Sequence, residues 1–406
     1  MSGFIERDIE NAVVSGTPPQ AVVIIGPRRS GKTTLLKHVV KQLPEQSTYY
    51  SCDLPADRNK IRFETRGDVE NFLRLSPNIV IDEAQLVPDI GLMLKLLVDA
   101  NETREKPSRI FVTGSSALEL AHGIKESAVG RIVERRMWPF SMKEIAAHKS
   151  WGYVQENLDN FMIYGTYPAA VRNFEEAAST LEGYTEALLF KDLFRLTEIR
   201  RNSKFVDLVT ILSYRIGSEI NFDGLSRDVG LNKETVQRYI TLLELCSIVK
   251  VVPSYAKNLD NELKKGKKIY FTDLGIRNAL IGDFSPFSTR SDAGAIWENF
   301  FFMERVKMHD TLRDRKRMFF WRTKTNTPNE LDFIEVRDRT MEAFECKLSP
   351  EAQAKPGPAF LRAYPECPIH VVTPENCLPF FHPPCSRRSS AGRCGPCRRR
   401  SGWRGP

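Results

Sequence analysis

Gly26-Pro27-Arg28-Arg29-Ser30-Gly31-Lys32-Thr33 fits the pattern G-x-x-x-x-G-K-[ST] at every fixed position. Gly26 and Gly31 let the backbone wrap an anion and turn successive N–H groups inward. Lys32 is placed to reach the β- and γ-phosphates of a nucleoside triphosphate, and the Thr33 hydroxyl to sit on Mg²⁺. Thr34 opens the helix whose positive end faces the same phosphates. About 50 residues on, Asn78-Ile79-Val80-Ile81 runs into Asp82-Glu83, an apolar strand ending in two acids. There Asp82 can hold the Mg²⁺ shell, and Glu83 can orient or deprotonate the attacking water. ATP and Mg²⁺ are therefore the expected cofactors, with Gly26 to Thr34 as the binding loop.

These groups need a sheet to carry them. Ala21 to Ile25 reads as a buried parallel strand, Ser47 to Cys52 as a second, and Asn78 to Asp82 as a third. An amphipathic helix over Pro88 to Asn101 leads to a fourth strand, Arg109 to Ser116, which ends in hydroxyls. Thr113 or Ser115 can meet the γ-phosphate or the attacking water, or the serines can simply cap the helix that follows.

The order of these motifs, continued by Gly130-Arg131 and Met137-Trp138-Pro139-Phe140-Ser141-Met142-Lys143-Glu144, resembles a prokaryotic AAA-type ATPase family that carries a C-terminal domain of unknown function. The resemblance covers most of residues 15–375. It implies a sensor 1 role for Thr113 or Ser115, and an arginine-finger or sensor role for Arg131, in cis or from a neighbouring subunit of a homo-oligomer. The plainer alternative is a surface Arg131 paired with Glu134 or another acid. Gly165-Thr166-Tyr167-Pro168 also resembles the family. The expected fold class is α/β: a P-loop ATPase domain over residues 1–140 and a helical lid or linker over 141–202, followed by two further modules.

Residues 203–280 read as a winged helix. Asn232 is placed to cap a helix from Lys233 to Leu245 that buries Val236, Tyr239, Ile240 and Leu243. Its outward Lys233, Gln237 and Arg238 could enter a major groove of double-stranded DNA, with a wing carrying Lys257, Lys264, Lys265, Lys267 and Lys268 on the phosphates. Winged helices also dock proteins, and a lysine run is often a solvated loop. Over residues 290–375 an acid on a helix (Glu298), Glu330 and Asp332 on one strand and Glu345-x-Lys347 on the next resemble the PD-(D/E)XK nuclease fold. That resemblance implies Mg²⁺ held by Asp332 and Glu345, Glu298 or Glu330 assisting, and water positioned by Lys347. Surface charge pairing would explain the same residues.

At 406 residues, 41 % apolar and 27 % charged, the chain has the composition of a soluble globular protein of several domains. No apolar run reaches transmembrane length and no signal peptide is visible, so a cytoplasmic protein is expected. The net charge of +8 is no argument for nucleic acid: the seven arginines after residue 375 leave +1 for residues 1–375. Residues 376–406 change abruptly to Pro, Arg, Cys, Gly and Ser and read as disordered. Cys394-Gly-Pro-Cys397 there lacks the strand and helix a redox site needs. The reading that follows is an ATP-driven switch protein. Its alternatives are an ATP-regulated, Mg²⁺-dependent endonuclease and a nucleotide-binding scaffold without turnover.

Overall fold

Five aliphatic residues in a row need cover on both faces, and β1 (Ala21–Ile25) is buried along its whole length. In the computed structural model, which describes residues 3–114, 130–186, 203–255, 266–323, 330–338, 340–354 and 356–382, β1 is an inner strand of an all-parallel sheet. The strand order is β2-β3-β4-β1-β5, with β2 at Ser47–Ser51, β3 at Asn78–Asp82, β4 at Arg109–Gly114 and β5 at Ile132–Arg136. Val13 of α1 (Glu10–Val14) and Leu35, Leu36 and Val39 of α2 (Lys32–Gln42) pack one face. After the short α3 (Pro55–Lys60), α4 (Arg66–Arg74) and α5 (Ile90–Glu102) cover the other with Val69, Phe72, Leu94 and Leu97. Ser115, Lys257, Lys264, Lys265 and the Cys394–Cys397 motif lie outside the described residues.

Beyond the sheet, a Ser141 capping box starts α6 (Met142–His148). The helices α7 (Trp151–Glu156), α8 (Leu158–Tyr164), α9 (Pro168–Arg172) and α10 (Ala177–Glu186) follow. Gly165 has a φ of +68°, and a Cβ there would collide with the Asp273 carboxylate; only glycine makes this turn. Next come α11 (Ser203–Tyr214), β6 (Glu219–Ile220), α12 (Phe222–Val229), α13 (Lys233–Leu245), β7 (Val249–Pro253) and β8 (Lys267–Phe271), the strands paired antiparallel in the order β6-β8-β7. Asn232 caps α13 by accepting from the Thr235 N–H at 2.7 Å. Val236, Tyr239, Ile240 and Leu243 are buried, and Lys233, Gln237 and Arg238 are exposed.

The C-terminal region begins with α14 (Leu274–Ile281) and the long α15 (Ala293–Leu312). A four-stranded sheet follows, built from β9 (Arg317–Arg322), β10 (Glu330–Arg337), β11 (Thr340–Cys346) and β12 (Ile369–Val372), with α16 (Pro358–Ala363) between the last two. Only β12 runs parallel to its neighbour, β11. No described helix is long and apolar enough to cross a membrane.

One apolar cluster runs from Ile5 and Trp138 through Phe205, Leu243 and Trp297 to Phe381. The segments expected as lid, winged helix and C-terminal module thus share a core. That core also corrects the expected start of disorder at residue 376. Cys377 and Phe381 are buried, and a short 3₁₀ turn, Leu378–Phe381, packs under α15. Phe380 and Phe381 supply aromatic surface that the average composition of the tail concealed.

Candidate nucleotide site

The loop between β1 and α2 lies at the carboxyl end of the parallel strands, where open α/β sheets bind ligands. Gly31 has a φ of +100° and gives way directly to α2. Gly26 answers to a second constraint. A Cβ on it would collide with the Met137 backbone carbonyl, so this glycine is required by the protein's own packing as well as by an incoming phosphate. Lys32, only 4 % exposed, folds back to donate to the carbonyls of Gly26 at 2.9 Å and Pro27 at 2.8 Å.

Asp82 closes β3 directly opposite. The Thr33 hydroxyl donates to Asp82 Oδ2 at 2.9 Å, and the hydroxyls of Tyr49 and Thr113 donate to the same carboxylate. Thr113 also accepts from the Glu83 backbone N–H at 3.0 Å, so the end of β4 supports both acids. Glu83 takes the left-handed conformation (φ 55°) and receives a hydrogen bond from Gln85. The hard oxygens of Thr33 and Asp82, side by side at a phosphate loop, fit Mg²⁺.

Sequence reasoning did not assign Tyr49. Burial, and then the hydrogen bond to the Asp82 carboxylate, raise its phenol well above the ordinary tyrosine range. It stands behind Asp82 as an orienting group, and with Mg²⁺ on Asp82 such an outer partner would matter to affinity. Tyr49→Phe is expected to weaken ATP binding about tenfold with Mg²⁺ present and to leave binding in EDTA unchanged. Titration with a fluorescent ATP analogue in both buffers checks this.

The loop opens into a cleft of about 530 Å³ lined by Arg29, Lys32, Thr33 and Glu83 from the sheet domain, and by Pro168, Arg172, Glu176 and Tyr184 from α9, α10 and the turn between them. The Arg29 guanidinium lies 3.9 Å over the Tyr184 ring and bridges the two walls. Pro168 belongs to the Gly-x-Tyr-Pro turn, which places that motif at the cleft.

Arg131 is not there. It precedes β5, and its carbonyl accepts from the N–H of Ala21 at the amino end of β1, roughly 15 Å of strand away from the loop. Its guanidinium pairs with Asp99. The expected role toward the γ-phosphate of the same chain is thereby corrected, because a parallel strand brings its first residue to the wrong edge of the sheet.

In the C-terminal region the structure gathers only part of the expected acidic set. Lys268 of β8, 1 % exposed, reaches Glu298 Oε1 at 3.0 Å and Glu330 Oε1 at 2.7 Å. Tyr270 donates to Glu298 at 2.6 Å, and Asp332 accepts from the Cys346 N–H at 2.6 Å. Glu345 pairs instead with Lys347, at 2.8 Å. Among the described residues no group of three or more His, Cys, Asp or Glu side chains is arranged to hold a metal. The placing of Lys268 on a solvated wing is corrected accordingly. Its own ammonium occupies the acidic pocket.

Burial opposes the charge on Lys268, but Glu298, Glu330 and Asp332 more than offset this and hold it protonated. With more carboxylates than cations in the pocket, burial and then the Glu298 charge push Asp332 up to about 7. Between its unfolded value of about 3.9 and this folded value, the native state holds a proton that the unfolded chain lacks. Stability from this group therefore falls as pH rises through that window. Asp332→Asn is expected to leave stability near wild type below about pH 4 and to raise it increasingly up to about pH 8, measured by urea unfolding.

A parallel sheet with a phosphate loop after β1 and an Asp-Glu pair at the end of β3 defines a P-loop nucleotide-binding fold, and residues 18–146 match a family described as an AAA domain. Residues 155–286 and 293–380 match two domains of unknown function, DUF8612 and DUF4143. An uncharacterized protein of Mycobacterium tuberculosis is 26 % identical over 330 residues, 80 % of this chain and 70 % of that protein. One from Haemophilus influenzae is 24 % identical over 280 residues, covering 64 % and 69 %. Among solved structures, replication initiator DnaA bound to AMPPCP and single-stranded DNA aligns over 59 % of this chain and 90 % of that one, at 15 % identity and a TM-score of 0.29. The Holliday junction branch migration motor RuvB of Thermotoga maritima aligns over 60 % and 85 %, at 16 % identity and a TM-score of 0.28.

Proposed function

We propose that the chain is an ATP-hydrolysing switch in which the nucleotide sits between the parallel sheet and the α9–α10 wall. The observation that carries this reading is the meeting of Lys32, Thr33, Asp82 and Glu83 at one mouth of one cleft. On binding, Lys32 leaves the Gly26 and Pro27 carbonyls for the β- and γ-phosphates. Thr33 and Asp82 hold Mg²⁺, which supplies charge neutralisation on the phosphate oxygens. Glu83, fixed by Thr113 and Gln85, orients the attacking water. Arg29 and Arg172 add positive charge from both walls.

The helix–strand–helix–helix–strand–strand order of residues 203–271 supports a winged-helix reading, and exposed Lys233, Gln237 and Arg238 favour contact with double-stranded DNA. Lys233 is already engaged with Asp223 at 3.0 Å, which leaves Gln237 and Arg238 as the stronger candidates. The C-terminal region serves this switch as a responding module, since Lys268 fills its acidic pocket. ATP turnover measured with and without duplex DNA tests both halves. Retention of Mg-ATP and faster turnover on DNA are expected; failure to bind ATP with Mg²⁺ present sinks the proposal. Turnover indifferent to DNA removes the nucleic-acid half.

A further inference from the structure

The segment Met137 to Glu144 carries a motif that none of the chemistry above uses, and it lies between the phosphate loop and α15. On the loop side Met137 packs directly against Gly26, and one residue of the N-terminal arm adds a polar link to Ser30. Arg7, only 7 % exposed, donates from Nη1 to the Ser30 carbonyl at 2.8 Å, inside the phosphate loop. The same guanidinium donates from Nη2 to the Trp138 carbonyl at 2.6 Å and from Nε to Glu144 at 3.0 Å, and it lies over the Phe140 ring. On the other side the segment is tied to α15 three times. The Trp138 indole donates to Asp310 at 2.7 Å, the Met142 N–H to Glu304 at 2.8 Å, and Lys307 to the Phe140 carbonyl at 2.9 Å. Lys307 also reaches the Thr166 hydroxyl at 3.0 Å, in the turn that carries Pro168 to the cleft.

We infer that Arg7 is a positioning residue for the nucleotide, and that through residues 137–144 it makes the shape of the phosphate loop and the seating of α15 depend on each other. The inference rests on the ATP-binding reading above. A fork of donors fixed to Ser30, Trp138 and Glu144 allows few arrangements, so a loop that shifts to accept phosphate pulls on the segment that α15 grips. Linkage then requires that ATP tighten α15 by as much as a well-seated α15 tightens ATP. A lysine keeps the charge but can satisfy neither the geometry nor all three acceptors.

Amide hydrogen exchange of residues 293–312, measured with and without Mg-ATP, tests this in the full chain. Wild type is expected to show exchange in α15 slowed several-fold by ATP. Arg7→Lys is expected to bind ATP about tenfold more weakly and, even at saturating ATP, to lose the slowing. Glu304→Gln, which loosens the same link from the α15 side, is expected to weaken ATP binding about threefold in wild type and not at all in Arg7→Lys. Lys32→Ala serves as the control that binds no ATP and shows no slowing. Unchanged ATP affinity in Arg7→Lys, slowing of α15 that survives the substitution, or additive effects of the two variants would overturn the inference while leaving the ATP site intact. Wild type that does not bind ATP sinks the functional reading itself, and this inference with it.

Discussion

Glu83→Gln is expected to cut ATP turnover by roughly 10²- to 10⁴-fold while the protein still retains Mg-ATP. The substitution keeps the size of the side chain and removes only its capacity to accept a proton from water. The left-handed backbone at Glu83, its N–H bond to Thr113 and the Gln85 contact all remain available to glutamine. On the proposed reading, binding rests instead on Lys32, Thr33 and Asp82, which the change does not touch. A filter-binding assay beside a phosphate-release assay separates the two effects. Turnover at the wild-type rate removes Glu83 from the mechanism; loss of binding together with turnover assigns it a role in holding the nucleotide instead.

The second large effect is on stability. Arg305 on α15 meets Glu335 on β10 with two hydrogen bonds, Nε to Oε1 at 2.6 Å and Nη2 to Oε2 at 2.7 Å, and its Nη1 donates to the Phe380 carbonyl at 2.7 Å. Lys316 lies 3.0 Å and His309 2.9 Å from the same carboxylate. Removing one partner of a buried pair leaves the other charge uncompensated, at a cost of about 3–5 kcal/mol. Arg305→Leu is expected near the lower end, because Lys316 and His309 remain. Chemical denaturation measures the loss, and limited proteolysis is expected to cut first near the released 378–381 turn. Burial alone would raise the Glu335 carboxyl, but the hydrogen bonds and charges of Arg305 and His309 hold it well below the ordinary range. Its folded value is thus depressed: the stabilisation is complete above the unfolded value of about 4.3 and fades as pH falls below it. The gap between wild type and Arg305→Leu should therefore narrow in acid.

The phosphate loop, the Asp82–Glu83 pair and the capped α13 were legible because each is specified within a few consecutive residues. A glycine spacing, an apolar strand end and an Asn before an amphipathic run are local signals. What was misread depended on partners far along the chain. Lys268 alternates with its neighbours as a wing lysine would, and only Glu298, thirty residues on, shows that it points inward. Arg131 looked available because the direction of β5 relative to β1 is a property of the sheet. Arg7 and Tyr49 carried no pattern at all, since a lone arginine in an N-terminal arm and a tyrosine in a short strand are common. Tyr49 could have been suspected from the expected pairing of its strand with the strand ending in Asp82, but no spacing announces Arg7.

The apolar cluster that runs without interruption from Trp138 to Phe381 constrains how such a machine can move. A protein hinged between successive beads would let each turn by itself. Here buried side chains of α11, α13, β7, β8 and α15 interlock in one core. On the switch reading proposed above, nucleotide-driven motion carries the residues of this shared core together against the parallel sheet. Displacements at the Arg29–Tyr184 bridge would then be felt at α13, where Gln237 and Arg238 face the solvent.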